Sequence, residues 1–168
     1  MFEKILFPID FSDGTTGTLK YIKQLKECGT EEVVLLTSVE DNYLDAVADN
    51  PKLLKKVIEE SIKEAKKNLE IVALELLNQG FKVKTKIAMG TIWHKILEEA
   101  QIENISLIIL SFHGKNFFKR VLWRLVLNAV IKRSSQPVLI ITNKTCCSNP
   151  DSSKLKILPN PNNILEIG

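Results

Sequence analysis

The stretch that decides the fold runs from Ser106 to Thr142. It opens with Ser-Leu-Ile-Ile-Leu-Ser-Phe-His-Gly-Lys and closes, after a helical segment, with Gln-Pro-Val-Leu-Ile-Ile-Thr. Leu107 to Leu110 and Val138 to Ile141 are apolar runs too short for helices and rich in β-branched residues, as parallel strands covered on both faces are. Two such strands joined by a helix predict a right-handed βαβ unit, with Gly114 in the loop after the first strand.

The loop after the first of these strands is a place where proteins often hold phosphate. It lies at the carboxyl end of a strand and leads into a helix N-terminus. Free backbone N–H groups and the helix dipole both favour an anion at such a point. The functional question is therefore whether this loop still binds one.

Three further strands are predicted upstream, each with a distinct pattern. Lys4 to Asp10 and Glu32 to Val39 are apolar through their middle, which is typical of buried parallel strands. Phe81 to Ala88 alternates apolar residues with lysine, which predicts a half-exposed edge strand protected by charge.

Helices are predicted between these strands. The first runs to about Cys28, with Asp13 as its cap. The second begins at Pro51, and Asn78-Gln79-Gly80 ends it. A third follows Thr91, which we expect to cap it. Five strands alternating with four helices predict an α/β fold, a three-layer doubly wound parallel sheet. With strand 1 at the centre, strands 2 and 3 on one side and strands 4 and 5 on the other, the order is 3-2-1-4-5.

This order places a crevice where the connections after strands 1 and 4 diverge. Asp10 follows strand 1, and the loop Ser111–Lys115 follows strand 4. We therefore expect these two segments to line the crevice from opposite sides.

Composition, charge and cysteine content give no sign of a nucleic-acid-binding, membrane or secreted protein. The 168 residues are 45% hydrophobic, enough to bury one core, and a formal charge of +3 gives no reason to expect a nucleic-acid partner. No apolar run approaches the roughly 18 residues of a membrane span, and the N-terminus does not resemble a signal peptide. Three cysteines without metal spacing indicate reduced thiols and a cytoplasmic location: Cys28, Cys146 and Cys147.

Several pieces of the chain together resemble the universal stress protein family. They are Lys-Ile-Leu-Phe-Pro-Ile-Asp-Phe-Ser, Val-Leu-Leu-Thr-Ser-Val-Glu, Met-Gly-Thr-Ile-Trp-His-Lys-Ile-Leu, Ser-Phe-His-Gly-Lys and Ala-Val-Ile-Lys-Arg-Ser-Ser-Gln-Pro-Val-Leu-Ile-Ile. The resemblance covers residues 1–142 and implies an adenine-nucleotide-hydrolase-like fold. Residues 143–168 remain as a C-terminal extension, rich in Asn, Pro, Ser and Lys, of uncertain structure.

The resemblance also implies a candidate nucleotide site. ATP-binding members carry Gly-x2-Gly-x9-Gly-[Ser/Thr], whose last pair meets the phosphates; this chain has one of the three glycines and lacks the final hydroxyl. By the same resemblance Asp10 and Val39 contact adenine and Gly90 neighbours the ribose, with Ile9 and His113 beside them. The motif itself falls on Ser111, Gly114, Arg124 and Leu125.

Arg124 permits two interpretations. Its long side chain stands where backbone must approach phosphate closely, and Leu125 removes a donor, so tight ATP binding is expected to be lost. Alternatively the arginine supplies a cation that clamps a shorter nucleotide such as AMP. We expect no firmly bound cofactor, with AMP or ATP as the candidate ligands.

Enzymatic interpretations have less support in the sequence. His94 and His113 are the only histidines, and neither a nucleophilic serine or cysteine motif nor paired carboxylates accompany them. We therefore predict a non-catalytic stress-protein module with no metal. The main alternative is an ATP- or AMP-binding regulatory protein with at most slow ATP hydrolysis. A third possible class is a nucleotide-dependent transferase, but the sequence shows no catalytic group for it.

The last strand predicts a partner. Pro137 to Thr142 carries no charge and falls at a sheet edge in the predicted order, so it invites pairing with another strand. The resemblance implies the same antiparallel pairing in a homodimer. An unidentified regulatory protein is the other expected partner.

Overall fold

The computed structural model describes residues 2–11, 14–39, 50–112, 117–142 and 155–158. In these ranges the chain forms six strands and four helices. They are β1 (Lys4–Pro8), α1 (Gly14–Leu25), β2 (Glu32–Val39), α2 (Pro51–Asn78), β3 (Lys82–Met89), α3 (Ile92–Ile102), β4 (Leu107–Phe112), α4 (Phe117–Arg133), β5 (Val138–Thr142) and β6 (Leu155–Leu158).

Five parallel strands form the body of the sheet in the order 3-2-1-4-5, which confirms the predicted α/β topology. The central strand is β1, where Ile5 lies opposite Val33 of β2 and Leu107 of β4. Within the described ranges no helix combines the length and the apolar character needed to cross a membrane.

Two apolar layers cover the sheet, one on each face. Successive residues of a strand point to opposite faces, so β1 contributes Ile5 and Phe7 to one layer and Leu6 to the other. The first layer includes residues of α1 and α2, and the second includes residues of α3 and α4. This double coverage explains why the strands are apolar throughout rather than alternating.

The helix boundaries agree in part with the predictions. Pro51 opens α2, and the Asn50 side chain caps it by accepting from the backbone N–H of Leu53 at 3.2 Å. Thr91 occupies the N-cap position of α3, as predicted, but its side chain makes no cap hydrogen bond. The predicted cap Asp13 lies outside the described residues.

A sixth strand changes the expected edge of the sheet. β6 pairs antiparallel with β5, with Val138 opposite Leu158 and Ile141 opposite Leu155. In the single chain the outer edge of β5 is therefore occupied, and the prediction that it is a free edge was wrong. The error arose because the sequence of the tail does not indicate that Leu155–Leu158 forms a strand, or which strand it would pair with.

The opposite edge strand, β3, lies at the edge as predicted, and its lysines take part in an ion cluster. Glu103 at the end of α3 lies 2.5 Å from the Nζ of Lys4, 2.9 Å from that of Lys84 and 2.8 Å from that of Lys86. Hydrogen bonds from Lys4, then Lys86 and Lys84, hold the pKa of the Glu103 carboxyl well below its usual range. A carboxylate at a helix C-terminus is unfavourable to the helix dipole, and these three cations offset that cost.

We predict that Glu103→Gln lowers the free energy of unfolding at pH 7 by on the order of 1 kcal/mol, after allowance for solvent screening. Because the folded-state pKa is depressed, the carboxylate stabilises the protein above about pH 4.3, its unfolded-state pKa. The difference from wild type should shrink as the pH falls below that value. Urea unfolding between pH 3 and pH 8 measures both effects.

The matched control is Glu98→Gln on the same helix. Glu98 pairs only with Lys95 three residues away among the ion pairs of the described chain, and its side chain is more exposed than that of Glu103. An equal loss of stability in both variants would contradict the role of the cluster.

Candidate functional site

The candidate site lies at the carboxyl edge of the parallel strands, where the connections after β1 and β4 diverge. Four predicted residues end or follow the strands at this edge: Asp10 after β1, Val39 at the end of β2, Gly90 after β3 and Ser111 near the end of β4. Ser111 is buried, while the other three are half-buried. The topology therefore brings these four positions to one edge of the sheet.

Ile9 is fixed by hydrogen bonds on both of its peptide groups. β1 ends at Pro8, earlier than predicted, yet the Ile9 N–H still donates to the carbonyl of Leu36 at 2.7 Å. The hydroxyl of Thr37 donates to the Ile9 carbonyl at 2.9 Å in a buried position. These two bonds hold the backbone directly before Asp10 against β2.

The backbone after Asp10 takes an uncommon conformation. Phe11 has a φ of 54°, in the left-handed region that non-glycine residues seldom adopt. Such a residue persists only where its surroundings impose the conformation, and these positions concentrate at functional sites. Gly90, at the same edge, has a φ of 97° and needs to be glycine for that reason.

The side chain of Asp10 is bonded to a residue that was not among the predicted site residues. The indole Nε1–H of Trp123 donates to Oδ2 of Asp10 at 2.9 Å, across 113 residues of sequence. Trp123 is half-buried and also packs against the apolar layer under α4. Its spacing from Val126, Leu127 and Val130 places it on the buried face of α4, and this periodicity was the signal available in the sequence.

Trp93, the other tryptophan, has a packing role. It is half-buried beside the same apolar layer, and the guanidinium of Arg133 lies 4.8 Å from its ring centre. This cation–π contact joins the beginning of α3 to the end of α4.

The positions of the phosphate motif fall inside a helix. Arg124 and Leu125 are the eighth and ninth residues of α4, and both side chains are exposed, Leu125 by 61%. Backbone N–H groups beyond the first four of a helix donate to carbonyls within it. The backbone N–H groups of these two residues are therefore hydrogen-bonded within the helix and are not available to donate to the phosphates of a ligand.

Two candidate residues lie outside the described part of the chain. His113 and Gly114 belong to the segment between β4 and α4. Their contribution to the site stays a prediction.

Comparison with known proteins relates the whole body of the chain to one family. Residues 1–142 match the model of the universal stress protein family. The chain is 35% identical over 158 residues to universal stress protein MJ0577 of Methanocaldococcus jannaschii, a match that covers 86% of this chain and 97% of that protein. It is 28% identical to universal stress protein YxiE of Bacillus subtilis, with 84% and 99% covered.

Solved structures agree with these relatives. The structure of MJ0577 superposes with a TM-score of 0.76 at 34% identity and covers 87% of this chain and 99% of that one. Two more distant universal stress proteins were solved with ligands: one with cAMP, at 16% identity and a TM-score of 0.53, and one from Archaeoglobus fulgidus with dAMP, at 17% and 0.57. At that identity the likeness concerns the fold alone.

The bond from Thr37 to Ile9 leads to a stability prediction. Thr37→Val keeps the shape of the side chain but removes a buried hydroxyl, and we expect it to lower the free energy of unfolding by about 1–2 kcal/mol. The control Thr85→Val makes the same change on the exposed strand β3 and should have little effect. Urea denaturation of both variants checks this, and equal effects would contradict it.

Proposed function

Because the chain belongs to the universal stress protein family, we propose that it is a non-catalytic stress-protein module with a degenerate nucleotide crevice. In this proposal the crevice contacts the nucleoside part of an adenine nucleotide and binds ATP weakly or not at all. The observation that carries it is the placement of Arg124 and Leu125 inside α4. Peptide groups that are bonded within a helix cannot also donate to a phosphate chain.

The contact between Asp10 and Trp123 agrees with a recognition role. Oδ2 of Asp10 accepts from an indole N–H at 2.9 Å. That bond orients the carboxylate, and an oriented acceptor suits a ligand that brings a hydrogen-bond donor.

An AMP-binding regulator is the second candidate function. Arg124 is an exposed cation on α4, which begins at the carboxyl edge of the sheet, and a guanidinium is well suited to a single phosphate group. Two distant relatives were solved with cAMP and dAMP, ligands that each contain one phosphate group, and this agrees with a short ligand.

The location of the protein is a separate part of the proposal. The exposed thiol of Cys28 agrees with a reducing, cytoplasmic setting.

The first test compares nucleotides by isothermal titration calorimetry. We expect no low-micromolar binding of ATP with Mg²⁺, and affinities for AMP and ATP that differ by less than tenfold, about 1.4 kcal/mol. The reason is that the β- and γ-phosphates find no backbone donors. Low-micromolar ATP binding would overturn the proposal, and AMP binding much tighter than ATP binding would favour the second candidate.

Restoring the phosphate motif tests whether Arg124 and Leu125 are the cause of weak ATP binding. Arg124→Gly with Leu125→Ser weakens the helix and returns a hydroxyl, and we expect ATP affinity to rise about tenfold or more, the effect of one charge-assisted contact. The control Asn128→Gly with Ala129→Ser imposes a similar helix penalty one turn further along α4 and should not raise it. An equal rise in ATP affinity in both double variants would show that weakening of the helix alone causes the effect.

Self-association through β5 is part of the proposal. The strand is apolar and uncharged, with Val138, Leu139 and Ile141 buried, and its outer edge pairs with β6 of the same chain. We propose that a second copy of β5 competes with β6 for this edge in a homodimer. An unidentified regulatory partner remains part of the proposed function.

Removal of the tail tests this competition. A chain that ends at Thr142 loses β6 and exposes the N–H and C=O groups of β5, so we expect it to dimerise more strongly than the full chain. Light scattering at tens of micromolar measures the difference. A truncated chain that folds but stays monomeric at that concentration would contradict pairing through β5.

A further inference from the structure

The hydrogen bond between Trp123 and Asp10 links helix α4 to the end of strand β1. Trp123 lies on the buried face of α4, and Asp10 follows the central strand β1. Both residues are half-buried, so the contact is neither fully solvated nor sealed in the core. The N–O distance of 2.9 Å is that of a well-formed bond to a carboxylate.

The backbone on both sides of Asp10 is held in place. The peptide groups of Ile9 are bonded to Leu36 and Thr37, and Phe11 holds a φ of 54°. These constraints fix the backbone from which the Asp10 side chain projects, and the bond from Trp123 occupies Oδ2. A ligand that donates to Oδ2 from the same direction must therefore approach the region where the indole N–H now lies.

The chemistry of a carboxylate limits what such a ligand can be. An ionised carboxylate only accepts hydrogen bonds, so its ligand must bring a donor. An adenine amino group or a ribose hydroxyl supplies one, whereas a phosphate group is an acceptor of the same charge sign and is repelled. The indole N–H of Trp123 is itself a neutral donor, as those nucleoside groups are.

We propose that Trp123 is an internal competitor for the carboxylate of Asp10 and thereby lowers the affinity of the crevice for nucleosides. This inference rests on the proposed function of the crevice. A nucleoside displaces the indole from Oδ2, and an anion without a suitable donor leaves it in place. The exchange costs the ligand one protein hydrogen bond, which weakens every nucleotide to the same degree.

The experiment isolates the signal of Trp123. The chain has two tryptophans, so a Trp93→Phe protein reports on Trp123 alone. Adenosine and AMP should shift its emission to longer wavelength in a saturable way, because the half-buried indole is released toward water. Inorganic phosphate at equal ionic strength should give no shift.

Calorimetry on a second protein measures the competition directly. Trp93→Phe with Trp123→Phe keeps an aromatic ring in place but removes the N–H donor. We expect it to bind adenosine and AMP about tenfold more tightly than the Trp93→Phe protein, the effect expected for one charge-assisted bond no longer broken. Circular dichroism and thermal melting confirm that the variant is folded, and the emission titration stands independently if it is not.

Each outcome decides between the proposals. Equal binding of AMP by both proteins, without an emission shift, overturns the competition but leaves the proposed nucleotide crevice intact. Weaker binding by the Trp123→Phe protein also overturns it, since the indole would then assist the ligand. No binding of adenosine, AMP or ATP to either folded protein overturns the proposed nucleotide crevice, and the competition with it.

Discussion

Burial of β1 on both faces is the constraint on which the rest of the structure depends. Ile5, Leu6 and Phe7 are each fully buried, and they alternate between the two apolar layers. A strand covered in this way must have neighbours on both sides and helices on both faces. The connections after β1 and β4 diverge towards opposite sides of the sheet, and this divergence places Asp10 at the switch point of the fold.

The two ends of the sheet serve different purposes. At the amino end, Lys4 and Glu32 begin β1 and β2, and they meet Lys84 of β3 and Glu103 of α3 in one ion cluster. This cluster fastens α3 to three strands. At the carboxyl end Asp10 accepts from Trp123, and the backbone is strained at Phe11. The ion cluster and the proposed site thus lie at opposite ends of the sheet.

The beginning of α4 decides what the crevice can accept. A phosphate site of the kind implied by the family motif needs peptide N–H groups that are not already bonded. Here the chain is helical from Phe117, and those groups at Arg124 and Leu125 lie within the helix. The same helix carries Trp123 to Asp10. In our proposal this one local feature, helix in place of loop, both removes phosphate donors and places a competitor beside Asp10.

The sequence by itself determined the five parallel strands and the helices between them, because hydrophobic periodicity and strand length depend on burial alone. It also marked β3 as an edge, and the order of the strands followed once strand 1 was placed at the centre. Only the tertiary structure decided that β6 covers β5, that Phe11 is left-handed and that Trp123 meets Asp10. These features depend on which residues meet across long stretches of chain, 113 residues for the indole and the carboxylate, and a linear pattern carries no information about such a meeting.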